Sequence, residues 1–461
     1  MSSVPRAGIP RSSGLVLLGL ACALAAAPAA AQRLGQQDRL DFQVPASVVQ
    51  GSGARAFGMG GAFLARADDA TAASWNPAGL SYLRRPEVSL VWTGNRFTSD
   101  ISAVDTGNAI ESQLRRGDWP DFVSGAWPVR IRSLSGAAQV SYQRAISFTN
   151  TRTITATGAE RAVDAQSQGG FDVLALGRGL QVSRKLRLGF TVNSWFNGFE
   201  QELTRRRPAG DSEQTLDFEL SGWNTHFGLL YSPVPNLNLG AAFKTPFEAD
   251  VRMSRSRTDY STEGTLSTTN SWTADYVRLK LPGALGVGLS WRVRSTLTVS
   301  ADYTRSYWSQ SRIYNFFTLG KCNDAANCPV APELVKDPDA PEGPGGGFYW
   351  ELPYPTLTEN QRDTEELRAG LEYVVLKRRF KWPLRVGAFA DRQYFTDAAG
   401  NAPLFRGLTV GTGLILGPVM VDAAYVYEWG DYRTQSGEDV VNTSVRSRRL
   451  LFSAIYRHGG R

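Results

Sequence analysis

Long apolar runs are missing. Beyond the first 31 residues no stretch reaches the ~18 uninterrupted apolar residues that a spanning helix needs, so the exported chain has no such helix. Histidine is scarce, with two in 461 residues. They are His226 and His458, far apart in sequence, which leaves a zinc site without ligands. A catalytic nucleophile also lacks its base. His226 is followed by Phe227 and Gly228 with no serine two positions on, and His458 is in the tail. The chain therefore reads as no enzyme, and His226 as a lumen-facing side chain in a hydrogen-bond network. Cysteine is limited to three. Cys22 belongs to the leader, and Cys322 and Cys328 in "KCNDAANCPVAPE" can close a small loop as a disulfide in an oxidising compartment. The formal charge is +7, but the basic residues scatter over turns and form no patch with aromatics, which argues against nucleic acid. No metal or cofactor is implied.

Arg6 and Arg11 followed by an apolar centre from Gly14 to Ala27 and by "APAAAQ" read as an export signal cut after Ala31. A lipoprotein reading at Cys22 is weaker, because Gly19 stands where an apolar residue is usual. From about Glu87 onward the chain keeps the period of two that marks strands with unlike faces. In "STLTVSADYTRSY", Leu297, Val299, Ala301 and Tyr303 oppose Thr298, Ser300, Asp302 and Thr304. In "GPVMVDAAYVYEW", Val419, Val421, Ala423, Tyr425 and Tyr427 oppose Asp422 and Glu428.

Short and long connections alternate along the chain. Tight ones fall at 128–136, 182–187, 232–237, 292–296, 376–382 and 416–419. Long polar ones fall near 98–118, 150–170, 204–215, 255–270, 316–362, 396–404 and 431–443. This rhythm predicts an all-β fold, a transmembrane antiparallel β-barrel of about fourteen strands with both ends on the periplasmic side. Trp92, Trp127, Trp223, Trp291, Trp308, Trp382 and Trp429 fall near the strand ends, as aromatic girdles do. The last strand presents Leu450, Phe452, Ala454 and Tyr456 on one face.

A barrel this wide encloses a lumen too large for its own side chains to fill. The segment ahead of the first strand meets the requirements of a plug. Gly51, Gly53, Gly58, Gly60 and Gly61 permit close backbone approach. Asp68 or Asp69 can cap a short helix through "ATAASW". Asn76, preceding Pro77, is biased out of helical conformation, and Pro77 can open the next turn.

"GARAFGMGGAFLARADDATAASWNPAGLSYL", Gly53 to Leu83, resembles the hatch signature of the FadL/TodX family of outer-membrane hydrophobic-compound transporters. The resemblance implies three regions: signal peptide 1–31, hatch 32–85 and barrel 86–461. It also implies residence in the outer membrane of a Gram-negative-type bacterium, among outer-membrane lipid. The expected ligand is a fatty acid or another hydrophobic small molecule, carried by a monomer. Ligand capture by outer loops, hatch rearrangement and sideways exit through a gap in the wall are implied with it. Asp68, Asp69, Asn76, Pro77, Ala78 and Gly79 carry the hatch motif. Phe57, Met59, Phe63 and Leu64 are candidates to line the ligand pocket, the alternative being that they pack the plug against the wall. Phe348, Tyr349, Trp350 and Tyr354, in the longest loop from Thr318 to Leu357, are candidates for a capture surface or for that loop's own small core. Gly136, or Gly177 with Gly179, are candidates for the break in strand pairing that sideways exit needs. A non-transporting barrel of the same fold, acting as a partner or scaffold in secretion or surface attachment like the PorV-like proteins of the type IX system, is the alternative function.

Overall fold

The computed structural model describes residues 51–103, 109–116, 119–155, 162–206, 210–260, 266–318, 349–353, 362–436 and 439–459. The signal peptide with Cys22, the Cys322–Cys328 pair, Phe348 and Tyr354 lie outside the described residues.

Among the described residues, fourteen wall strands close into one antiparallel barrel. In order they are Glu87–Ala103, Trp119–Ile131, Leu134–Ser147, Ala162–Gln181, Leu186–Phe196, Ser212–Val234 and Leu237–Lys244, then Ala284–Arg294, Leu297–Ser306, Thr364–Leu376, Lys381–Arg392, Leu404–Leu416, Val419–Ser436 and Asp439–Arg457. Each pairs with the next, and the last pairs back onto the first from Glu87↔Arg457 to Ala103↔Val441. No helix of the described residues is long and apolar enough to cross a membrane; the strands do the crossing.

The six short turns fall where the sequence places them, at 132–133, 182–185, 235–236, 295–296, 377–380 and 417–418. They share one end of the barrel with Pro86 and His458, whose backbones are hydrogen-bonded. The other end differs from expectation. Much of what reads as long polar loop is strand: Arg96–Ser102 pairs with Ala109–Arg115, and Asp250–Asp259 pairs with Ser212–Ser221. Even the two ends of the longest loop pair, with Thr318 opposite Tyr349 and Phe317 opposite Trp350. Above the membrane neither face meets lipid, so the hydrophobic alternation fades while the backbone ladder continues.

The faces are inverted relative to a soluble protein. Thr298, Ser300, Asp302 and Thr304 are buried, while Val299 on the opposite face is exposed. Asp422 is buried beside exposed Val421. Leu408, Val410, Leu450, Phe452 and Tyr456 are about half exposed. A continuous apolar exterior around a polar interior is stable only with hydrocarbon outside. Trp127, Trp223, Trp291 and Trp382 stand outward at the margins of this belt. Trp308 does not: it is buried and stacked on Tyr394 at 4.5 Å, inside the barrel. A 3₁₀ turn, Trp308–Gln310, interrupts its strand and turns the ring inward.

Candidate functional site

Residues 51–83 pack against the inward face of the wall. The chain turns through two short helices, Ala54–Gly58 and Ala72–Trp75, and a 3₁₀ helix, Pro77–Tyr82. Asn76 is extended and ends the second helix, and its carboxamide oxygen accepts from Ala78 N at 3.1 Å. Pro77 then opens the 3₁₀ helix, at a position where the N–H that proline lacks would have no partner within the helix. The cap differs from expectation by two residues. Thr71 is the N-cap, and Asp69 instead accepts from Thr71 N and Oγ1 at 2.9 and 2.6 Å.

Two kinds of contact hold the segment. The ionic ones lie toward the second half of the wall. Arg55 Nη1 reaches Asp68 at 2.6 Å and Asp69 at 2.9 Å, and Arg55 Nε reaches Glu372 at 3.5 Å. Glu372 also takes Arg66 and Arg385, each at 2.8 Å, and Arg385 reaches Asp422 at 2.6 Å. Asp302 accepts the backbone N–H groups of Phe63 and Leu64 at 2.6 and 2.8 Å. Arg368, paired with Glu366 and Asp391, donates to Gly60 O at 3.2 Å. The burial of these groups makes each pairing strong, because water does not screen it.

The second kind, close packing on wall glycines, occurs on both halves: on the second half a Cβ on Gly370 would lie 2.2 Å from Met59 O and one on Gly387 2.2 Å from Gly60 N, and the first half has such contacts too. A Cβ on Gly189 would lie 2.3 Å from Pro77 C, and one on Gly228 would lie 2.1 Å from Asn76 Oδ1. Gly177 and Gly179 face Leu80 in the same way. The pairing through Gly136, Gly177 and Gly179 is unbroken on both sides. None of them therefore marks a gap; Gly177 and Gly179 mark where the segment touches the wall, and Gly136 packs on the neighbouring strand at Gly179. Asn76 Nδ2 spans to the wall carbonyls of Leu229 at 3.1 Å and Ala241 at 3.3 Å while also donating to Leu64 O at 2.8 Å.

Above the Ala72–Trp75 helix lies a cavity of about 100 Å³. Ala73 and Ser74 form part of its lining, with Asn193, Asn224, His226 and Lys244 on the polar side. Ile146, Val173, Trp195, Phe247, Leu281 and Trp308 make the apolar side. Asn224 Oδ1 accepts from Trp195 Nε1 and Asn193 Nδ2, both at 3.0 Å, which fixes the indole against the wall. An aromatic cluster continues from this apolar side. Trp195 meets Phe247 at 5.2 Å, and the rings of Phe148, Phe171, Phe199 and Phe218 lie 4.5–6.4 Å from one another. Such a wall with a few fixed polar groups suits an apolar or amphipathic molecule.

Phe57, Met59, Phe63 and Leu64 do not line this cavity. Phe57 and Phe63 pack edge-on against Trp75 at 5.7 and 6.0 Å, Met59 fills the space over Gly370, and Leu64 sits on Gly286 and Gly288. Tyr349 and Trp350 lie in the short strand Tyr349–Pro353. Among the described residues no group of three or more His, Cys, Asp or Glu is placed to hold a metal.

No protein-family model and no curated protein matches the sequence. Solved structures do match. The Pseudomonas putida toluene transporter TodX aligns with a TM-score of 0.58 at 15% identity, over 89% of this chain and 99% of that one. A Pseudomonas aeruginosa FadL homologue aligns with a TM-score of 0.58 at 14% identity, over 91% and 100%. The monoaromatic hydrocarbon channel CymD aligns at 0.54 and 16%, over 88% and 98%. This chain has the FadL/TodX fold. A FadL/TodX-type barrel crosses the membrane many times and encloses a lumen, which is the setting of the segment and the cavity described above.

The segment's attachment has a pH limit. Burial alone would raise the Asp68 carboxyl, but the Arg55 and Arg66 guanidiniums outweigh it and hold it below its ordinary value. A carboxyl lowered by folding stabilises above its unfolded pKa of about 3.9, and the contribution is lost as pH falls through the folded value. Hydrogen-exchange protection of residues 51–69, taken relative to the intrinsic exchange rate at each pH, is expected to be unchanged from pH 7 to about pH 5 and to fall below about pH 4. Flat protection down to pH 2 would contradict the assignment.

Proposed function

We propose that the protein is an outer-membrane channel that carries hydrophobic or amphipathic compounds, with residues 51–83 as its hatch. The observation that carries the reading is the cavity, which combines an aromatic wall with a lining contributed by the Ala72–Trp75 helix of the segment. A long apolar molecule gains about 25 cal/mol per Å² buried there. The cavity touches Ala73 and Ser74, so an occupant presses on the part of the hatch that no ion pair holds.

The sideways exit is proposed at the strand breaks beside the cavity. Thr245–Pro246 lies opposite Pro282–Gly283, and the neighbouring strand is interrupted by the Trp308–Gln310 turn. Two facing prolines remove ladder donors at one level. Lys244, Phe247 and Leu281, which flank this seam, all line the cavity.

The test is solvent extraction and mass spectrometry of the purified full-length protein. A co-purified fatty acid or hydrocarbon is expected, and Trp195→Ala is expected to cut its occupancy about tenfold, since truncating a buried aromatic removes roughly 1.4 kcal/mol or more. An empty lumen together with a stoichiometric protein partner would instead favour the scaffold role.

A further inference from the structure

We infer that the outer rim carries a binding surface for the phosphates of a phosphorylated glycolipid in the surrounding outer leaflet, built by Arg96, Arg406, Arg446 and Arg448 around the Tyr427–Trp429 ring pair. The inference is independent of what the lumen carries.

The first argument is position. From the short-turn end, the outward row of the last strand runs Tyr456, Ala454, Phe452, Leu450, and then Arg448 and Arg446. Its neighbour runs Val88, Leu90, Trp92 and Gly94 before Arg96, and the strand Leu404–Leu416 runs through Val410 and Leu408 before Arg406. From Tyr456 to Arg448 the tilted strand rises roughly 20 Å, close to the ~25 Å apolar band of such barrels. The arginines therefore stand where hydrocarbon gives way to headgroups.

The second argument is repulsion without compensation. Arg96 and Arg448 are direct cross-strand partners on the same outward face, and both are exposed. Like charges placed so are unfavourable. Among the described residues no carboxylate pairs with Arg96, Arg406 or Arg448, and only Arg446 has one, Asp431 at 3.0 Å. An anion bridging the row relieves the repulsion, and the guanidinium fork matches phosphate oxygens two at a time.

The third argument is the spacing and the rings. Arg406 is the partner of Trp429, and Arg448 is the partner of Tyr427. The two rings stack at 5.5 Å and lie between the two guanidiniums. Amphipathic rings of this kind settle at headgroup level. From Arg406 to Arg96 the row crosses three strand spacings, roughly 14 Å. That is wider than a single phosphodiester and suits a headgroup bearing two phosphates. The rim is not uniformly basic, since outward positions on the far side hold the exposed carboxylates Glu200, Glu202, Glu219 and Glu248.

The test uses the full-length protein in detergent and native mass spectrometry with bisphosphorylated lipid A, phosphatidylethanolamine or inorganic phosphate as probe. The expected result is a retained lipid A adduct that millimolar phosphate does not displace. Arg96→Gln with Arg448→Gln is expected to weaken it at least about tenfold. Glu200→Gln with Glu202→Gln is expected to leave it unchanged. Should the double arginine variant fail to fold, Arg406→Gln decides, with about a threefold loss expected. The inference is overturned if the arginine variants bind lipid A as the native protein does, or if the acidic-side variant loses it equally. Equal retention of phosphatidylethanolamine overturns it too, as does displacement by inorganic phosphate, which would show a free-anion site.

Discussion

Glu372→Ala is expected to free the first part of the N-terminal segment from the wall. Glu372 is the one carboxylate shared by Arg55, Arg66 and Arg385, and it is buried. Its loss leaves three guanidiniums with Asp68, Asp69 and Asp422 as their remaining partners among the carboxylates of this network. Removing one member of a buried ionic set typically costs about 3–5 kcal/mol, most of it from charges left uncompensated. Hydrogen exchange at residues 51–69 should rise by two orders of magnitude or more, while protection of the wall strands stays near native. Glu372→Gln keeps the volume and one acceptor, so its effect should be smaller. Equal protection in the alanine variant and the native protein would show that the glycine contacts alone hold the segment.

The second large effect is expected at Gly228→Val. Any Cβ there meets Asn76 Oδ1 at 2.1 Å, Ala78 N at 2.8 Å and Pro77 Cδ at 2.8 Å. Hydrogen bonds to Leu64, Leu229, Ala241 and Ala78 hold the Asn76 carboxamide in place, and the other two atoms belong to the backbone and the proline ring, so the Asn76–Ala78 turn must move as a unit. Overpacking of this kind costs about 1–3 kcal/mol. Here it also breaks the Asn76 bonds to Leu229 and Ala241. Exchange should rise at residues 72–83 and not at 54–66, the reverse of the Glu372 variant. In a planar bilayer the variant should conduct ions more than the native protein does. A silent variant with native exchange would mean that the wall gives way instead of the turn.

The sequence carried the barrel well and the interior only in part. Alternation such as Leu297–Tyr303 against Thr298–Thr304 reads directly, because each strand faces lipid on one side and the lumen on the other. The turn at Asn76–Pro77 reads directly too, because proline acts on its own neighbour. What failed to read depends on residues distant in the chain. Gly189 and Gly228 look like ordinary strand glycines; only their placement on the lumen face of adjacent strands hints that something lies against them. Asp302 and Asp422 appear on the polar face, but nothing nearby names Leu64 or Arg385 as partners. The cavity escaped because its side chains come from many separate strands and from the segment. Phe57, Met59, Phe63 and Leu64 were apolar enough to suggest a pocket, yet the same quality lets them fill the space between the segment and wall glycines. The polar strands beyond the membrane read as loops because the alternation that reveals strands comes from lipid.

Arg457 and Glu87, joined at 2.9 Å, stand 370 residues apart. That bond lies on the seam where the ring shuts, and every earlier strand waits for it. A chain stopped before Asp439 would carry two open ladder edges, and unpaired peptide groups in oil cost several kcal/mol each. The closed ring therefore needs its last strand, and a lesion in that strand's nineteen residues exposes the first strand as surely as it harms the last.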